Sequence, residues 1–345
     1  MVETPMKNVL HLSHHYGCLK DHQYVCSELG LNLTSMFSVW DKVIPKNCYN
    51  VTKDIANKIW NDNKDYFNSY DYVIVSDTSP LSRIFLENIS EFSGTLIVWV
   101  CNRFNYDMYG DNDYNQLFAK SIKYDNVIVI PYTEFERVWA NHFGVEITEE
   151  VIRPIGLSID SKLSDYDNQD IIGFDGNYEV KKSSGDVLVS RYHNDTLFQD
   201  SLKIFESYNL VSESCKYRGF AGLKELSKNY HCYFILPEQY SKLVAFELMN
   251  IQLPVILPSE DFLLHLAKMP NYWFGSGINK STVHLCEWYN SYYDKFAIYI
   301  DDFSEIPSAF NTITEYKDQI CGIMRECAET HKEKTLQQWR KIYNV

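Results

Sequence analysis

A chain of 345 residues, 45% hydrophobic and 23% charged, holds enough apolar material for two ordinary domain cores, and nothing in it reads as disordered or fibrous. A formal net charge of −14 argues against a general nucleic-acid binder, which needs a basic face to neutralise phosphates. Cysteines number 9, an odd count with no CxxC pair, which argues against a disulfide framework or zinc knuckle and for reduced thiols in the cytoplasm.

The N-terminus, MVETPMKNVLHLSHH, carries no visible secretion signal. No window approaches the roughly 18 to 20 apolar residues of a membrane span, which leaves only peripheral membrane contact open. KNVLHL (7–12) reads as a buried strand running into the polar turn SHHYG, and Leu19 to Leu29 as a helix stopped by Gly30. NLTSMFSV, YDYVIVSD (70–77), TLIVWVC (95–101) and NVIVIP (126–131) are further strands, with helix-like LSRIFLENI and TEFERVWANHFG between and after them. VIRPIG (151–156) closes the series. Apolar strands without alternation are covered on both faces, so strands alternating with helices predict a doubly wound parallel α/β domain over 1–156.

Residues 157–184 are polar, acidic and glycine-containing, and read as a linker. The alternation restarts with DVLVSR (186–191), continues through a strand near KYRGF, HCYFILP, PVIL and FAIYID (296–301), and predicts a second α/β domain over 185–320. The remainder, 321–345, reads as a C-terminal helix. Ligands of open parallel sheets bind beyond the carboxyl ends of the strands, so two such domains would face a central cleft holding the ligand.

Candidate chemistry clusters at those strand ends. In LPEQYSKLVAFELMNIQLPVILPS (236–259), a helix capped by Ser241 would present the N–H groups of Lys242 and Leu243 to an anion, and Glu247 would lie further along the same side. A carboxylate there can accept hydrogen bonds from ribose hydroxyls. Glu247 can equally face solvent, and Lys242 can be a solvated helix-start residue. His14, His15 and Asp77 follow first-domain strands and are candidate general bases, or loop residues with structural hydrogen bonds. Asn102 and Arg103 end the fourth strand and would line the cleft; Asp107 is a less well placed base. The DxD triplets at 111–113 and 165–167 lie in polar stretches and read as chance acidic loops rather than metal sites.

The stretch with Leu243, Glu247, Met249, Pro254, Val255 and Ile256 resembles the nucleotide-sugar signature of GT-B glycosyltransferases, particularly the Glu-x7-Glu, family 4-like group. Glu238 stands nine positions before Glu247 where that pattern has eight, and the usual turn glycines are missing. VIRPIGLSID (151–160) resembles the domain-exit segment of such enzymes. Arg191 matches the arginine that follows the first strand of their second domain and meets the diphosphate. The resemblance implies two Rossmann-like domains, a last helix packing back on the first domain, and a metal-independent glycosyltransferase with no cofactor. Glu247 would bind the ribose of a nucleotide-diphosphate sugar, with Glu238, Ser241, Lys242, Leu243 and Arg191 around the sugar and diphosphate. The acceptor would be a glycan or another hydroxyl compound. A nucleotide-sugar epimerase or a non-catalytic sugar- or nucleotide-binding protein of the same architecture are the rival readings.

Overall fold

The computed structural model describes residues 6–37, 50–77, 79–158, 185–190, 195–210, 212–215, 219–270, 272–275 and 277–345. The chain divides into two compact units, one of residues 1–154 with 158–168 and 334–345, the other of 155–157 with 169–333. The expected linker, 157–184, lies outside the described residues beyond Ser158.

The first unit runs β1 (Asn8–Ser13), α1 (Tyr16–Leu29), β2 (Asn32–Phe37), α2 (Lys53–Phe67), β3 (Tyr72–Ser76), α3 (Arg83–Leu86), β4 (Thr95–Val100), α4 (Asn112–Ser121), β5 (Val127–Pro131) and α5 (Glu134–Asn141). All strand pairs are parallel, in the order β2-β1-β3-β4-β5. β3 is buried at every residue and β4 at all but Thr95, which is why their sequences show no polar alternation. α1 begins three residues ahead of the expected Leu19. It ends where Gly30 takes a left-handed φ of +66° and the Leu31 N–H bonds the Cys26 carbonyl at 2.9 Å. On one face Trp60 and Phe67 of α2 pack with Phe85 and Phe92.

The second unit runs β6 (Val187–Ser190), α6 (Asp195–Ser207), β7 (Ser212–Cys215), α7 (Gly219–Ser227), β8 (Cys232–Phe234), α8 (Leu243–Ile251), β9 (Val255–Pro258), α9 (Glu260–Leu266), β10 (Ile298–Ile300) and α10 (Ile306–Tyr343). Its strands are also parallel, ordered β10-β9-β8-β6-β7. Counted from each unit's first strand, both sheets have the order 2-1-3-4-5, so the topology is repeated although the sequence shows no repeat. The strand expected near KYRGF is β7, ahead of it, and Gly219 and Phe220 already open α7.

VIRPIG is not a strand: residues 151–158 carry no regular structure. Their backbone is fixed by other means. Asn250 Nδ2 on α8 donates to the Ile155 carbonyl at 2.7 Å, and Gly156 takes φ +77° so close to α8 that a Cβ would stand 2.3 Å from the Phe246 carbonyl carbon. Only glycine fits both the dihedral and the approach.

The end of α10, from Lys334, belongs to the first unit. Trp339 packs edge-on to Trp99 of β4 and His22 of α1, and His22 Nε2 and the Tyr343 hydroxyl share a 2.7 Å hydrogen bond. Lys7 Nζ and the Tyr72 hydroxyl both donate to the Tyr343 carbonyl, at 2.6 and 3.1 Å. Among the described residues, no helix is long and apolar enough to cross a membrane.

Candidate active site

In a sheet of order 2-1-3-4-5 the chain leaves the first and third strands in opposite directions, which opens a crevice at their carboxyl ends. In the first unit that switch point lies between β1 and β3. His14 and His15 follow β1, and Asp77 follows β3. Serine hydroxyls tie the two ends: Ser13 Oγ donates to the Ser76 carbonyl at 3.3 Å and accepts from the His15 N–H at 3.1 Å, while Ser76 Oγ bonds His11 Nε2 at 2.8 Å.

His15 is the N-cap of α1, its Nδ1 accepting the Cys18 N–H at 3.2 Å. That use of the Nδ1 lone pair leaves the neutral ring with its proton on Nε2, so the outward nitrogen is a donor rather than a base. His14 is half-buried beside it. Asp77, also half-buried, stands in the left-handed region at φ +61°, a conformation unusual for a residue with a side chain and concentrated at functional sites. Cys101, at the end of β4, accepts the Asp77 N–H at its sulfur and bonds the Cys18 thiol, linking the β3 end to the first turn of α1.

Arg103 does not line an open face. It is 1% exposed, its guanidinium 3.7 Å from the equally buried Glu136 carboxylate of α5 and over the Phe135 ring. Burial pushes the Glu136 carboxyl up to about 7 against the opposing pull of Arg103. Glu136 escaped the sequence reading; its signal was a first-turn glutamate next to Phe135 and one helical turn from Ala140, in TEFERVWA. The Asn102 side-chain oxygen is buried with no hydrogen-bond partner among the described residues. Asp111 of the first DxD triplet caps α4 through the Tyr114 N–H at 2.9 Å and pairs with Arg83 at 2.8 Å, so it is a structural residue. The second triplet lies outside the described residues, and among those described no three His, Cys, Asp or Glu side chains gather as metal ligands.

The equivalent switch point of the second unit lies between β6 and β8. Arg191, just past β6, lies outside the described residues. The loop past β8 is held residue by residue from the 272–287 segment. The Tyr272 hydroxyl donates to the Pro237 carbonyl and the Gly275 N–H to the Glu238 carbonyl. The Glu287 N–H donates to the Tyr240 carbonyl, and the Tyr240 hydroxyl bonds the Gly277 carbonyl and Thr282 Oγ1. The chain is therefore still extended at Lys242 (φ −145°, ψ 112°), and Lys242, not Ser241, is the N-cap of α8. Leu243 is the first helical residue. Lys242 Nζ is ion-paired with Glu238, both buried. Glu247 is 3% exposed, on a helix buried from Val244 to Met249. Phe246, beside it, stacks on His331 of α10 at 4.7 Å.

No family model matches the chain, and no curated protein matches it. Solved structures do. HepE from Anabaena, in complex with UDP and glucose, superposes with a TM-score of 0.52 at 10% identity over 99% of this chain and 100% of that one. The chain has the GT-B fold. The glycotransferase of kitacinnamycin agrees, at a TM-score of 0.51 and 8% identity over 97% of this chain and 98% of that one. A UDP-GlcNAc 2-epimerase from Neisseria meningitidis aligns more loosely, at 0.48 and 9% identity over 96% of this chain. A GT-B chain has two Rossmann-like domains, which here are the two units of order 2-1-3-4-5.

Proposed function

We propose that this GT-B chain is a glycosyltransferase that moves a sugar from a nucleotide-diphosphate donor to a hydroxyl acceptor, without a metal. The observation that carries the reading is the placement of the Lys242–Glu247 motif: it opens α8 at the switch point of the second sheet, where a doubly wound fold takes its ligand. HepE, with the same fold, was solved with UDP and glucose. In this reading the first N–H groups of α8, Lys242 and Arg191 hold the diphosphate and stabilise the charge that grows on it as the glycosidic bond breaks. Glu247 accepts from the ribose hydroxyls. Glu238 acts through Lys242, which it holds at the helix start. His14 or Asp77 takes the acceptor's proton, since the His15 lone pair is spent on the cap. The finer placement in the Glu-x7-Glu group is not part of the proposal, because Glu238 is one position out of register. The free thiols of the described cysteines suit a reducing cytoplasm.

The test is calorimetry with UDP, GDP and dTDP, followed by nucleotide release from the matching sugars with and without acceptor. A nucleotide is expected to bind, and Glu247→Ala to weaken it at least tenfold, about 1.4 kcal/mol. Release should rise with a hydroxyl acceptor and collapse by about 10²- to 10⁴-fold in His14→Ala or Asp77→Ala. Turnover that needs no acceptor would point to an epimerase, and binding of no nucleotide would sink the reading.

A further inference from the structure

The loop after β4, residues 101–111, lies on the same carboxyl edge as His14, His15 and Asp77. It brings Tyr106 and Tyr109 together, with ring centres 6.2 Å apart and planes at 77°, and sets Tyr109 against Trp139 of α5 at 5.6 Å and 70°. Tyr109 is 39% exposed, and Tyr106 and Trp139 are partly exposed. A single exposed tyrosine means little; three touching rings held in place are a different matter. Trp139 Nε1 donates to Asn105 Oδ1 at 2.9 Å, Asn105 Nδ2 to Asn115 Oδ1 at 3.0 Å, and Asn115 Nδ2 to the Tyr109 carbonyl at 3.4 Å. Phe143 backs Trp139 at 5.6 Å, and the Arg103 guanidinium donates to the Tyr109 hydroxyl. Asn105 is fully buried, so this polar chain serves the placement of the rings rather than solvation.

The rim of the platform is acidic. Asp107, exposed and left-handed at φ +60°, lies between the two tyrosines in sequence, and both Asp107 and Asp77 stand within electrostatic reach of Tyr106. The neighbouring cation, Arg103, is covered by Glu136 at 3.7 Å. An anionic ligand would meet two carboxylates, and the nearby Arg103 guanidinium is buried at 1% exposure. A sugar ring meets what it needs: an aromatic face for its apolar C–H side, and carboxylate oxygens to accept from its hydroxyls. A flat phenol could stack but brings one hydroxyl to the acidic rim where a sugar brings several.

We infer that Tyr106, Tyr109 and Trp139 form a platform for a neutral sugar ring, and that the acceptor of the proposed transfer is a carbohydrate. The word acceptor rests on the transferase reading; the binding of a sugar does not. The experiment titrates the whole chain with cellobiose, maltose and N,N′-diacetylchitobiose, with p-nitrophenol, in mildly acidic buffer that keeps it neutral, as the flat aromatic control, and measures UDP binding in parallel. At least one disaccharide should bind. Tyr109→Ala should weaken it tenfold or more, Tyr109→Phe should keep most of the affinity because the ring remains, and UDP affinity should be the same in all three proteins. A chain that binds a disaccharide in this way but no UDP keeps the platform and loses the transferase. The inference is overturned if no disaccharide binds, if Tyr109→Ala binds as the parent does, or if p-nitrophenol binds at Tyr109 and the sugars do not.

Discussion

The two sheets share one strand order, yet their switch points are finished differently. The first ends in side chains turned partly to solvent: His14, His15, Asp77 and the tyrosines of the following loop. The second ends in a loop whose carbonyls are bonded from the 272–287 segment and whose charges, Glu238 and Lys242, are buried against each other. A repeated topology thus sets where the strand ends open but not how they are furnished. The first edge carries titratable groups and rings. The second carries pinned backbone and a helix start, the preorganised kind of edge that the proposed phosphate site calls for.

The largest effect expected from breaking this contrast is at Gly156. An alanine there clashes with α8 at 2.3 Å and strains φ +77°, so the second unit should lose more than about 4 kcal/mol and the chain should express poorly. Normal urea unfolding of Gly156→Ala would show that the 155–157 segment is not seated on α8.

Acid comes next, and it acts on the first unit. Burial lowers His22 to about 3, and burial with the neighbouring His22 lowers His11. Their folded forms are neutral, so below the ordinary value of 6.5 the unfolded chain binds more protons than the folded one. The stability they contribute is complete above pH 6.5 and is lost as pH falls toward 3, on the order of 4 kcal/mol for His22. Because His22 bonds Tyr343 and packs on Trp339, the end of α10 should detach first, seen as a change in tryptophan emission. A His22→Phe variant should lose much of this slope; an unchanged slope would place the acid-sensitive group elsewhere.

The Lys242–Glu238 pair is next in size. Lys242→Met leaves the Glu238 carboxylate buried and uncompensated, and should cost about 3 kcal/mol, while adding Glu238→Gln should recover most of it. Thermal melts of the single and double variants read this directly. If the single variant melts like the parent, the pair is solvated and the second switch point is as open as the first.

The smallest effect separates capping from chemistry at His15. His15→Ala should destabilise by about 1 kcal/mol through loss of the α1 cap, and His15→Asp, a good cap residue, should restore stability and turnover together. Restored stability without turnover would return His15 to the list of bases.

Much of this was legible along the chain. Short uninterrupted runs such as VIVS and LIVWV read as strands covered on both faces, because they are too short for a buried helix and rich in β-branched and aromatic residues. The interruption of such runs by helix-length segments dictates parallel pairing, and the spacing of Leu243, Glu247 and Pro254 is local enough to be read as a helix followed by a strand. What only the tertiary structure decided depends on groups far apart in sequence. The N-cap fell on Lys242 rather than Ser241 because carbonyls at 237–240 are held by donors at 272–287. The glycine of RPIG is required by the backbone of a helix some 90 residues on, not by a turn of its own. Glu136 and Arg103 look like surface charges in sequence and are buried together because α5 packs against the loop that follows β4. Sequence patterns record which side chains avoid water. They do not record which distant backbone group will stand opposite a given carbonyl, carboxylate or ring, and at both switch points that pairing sets the geometry.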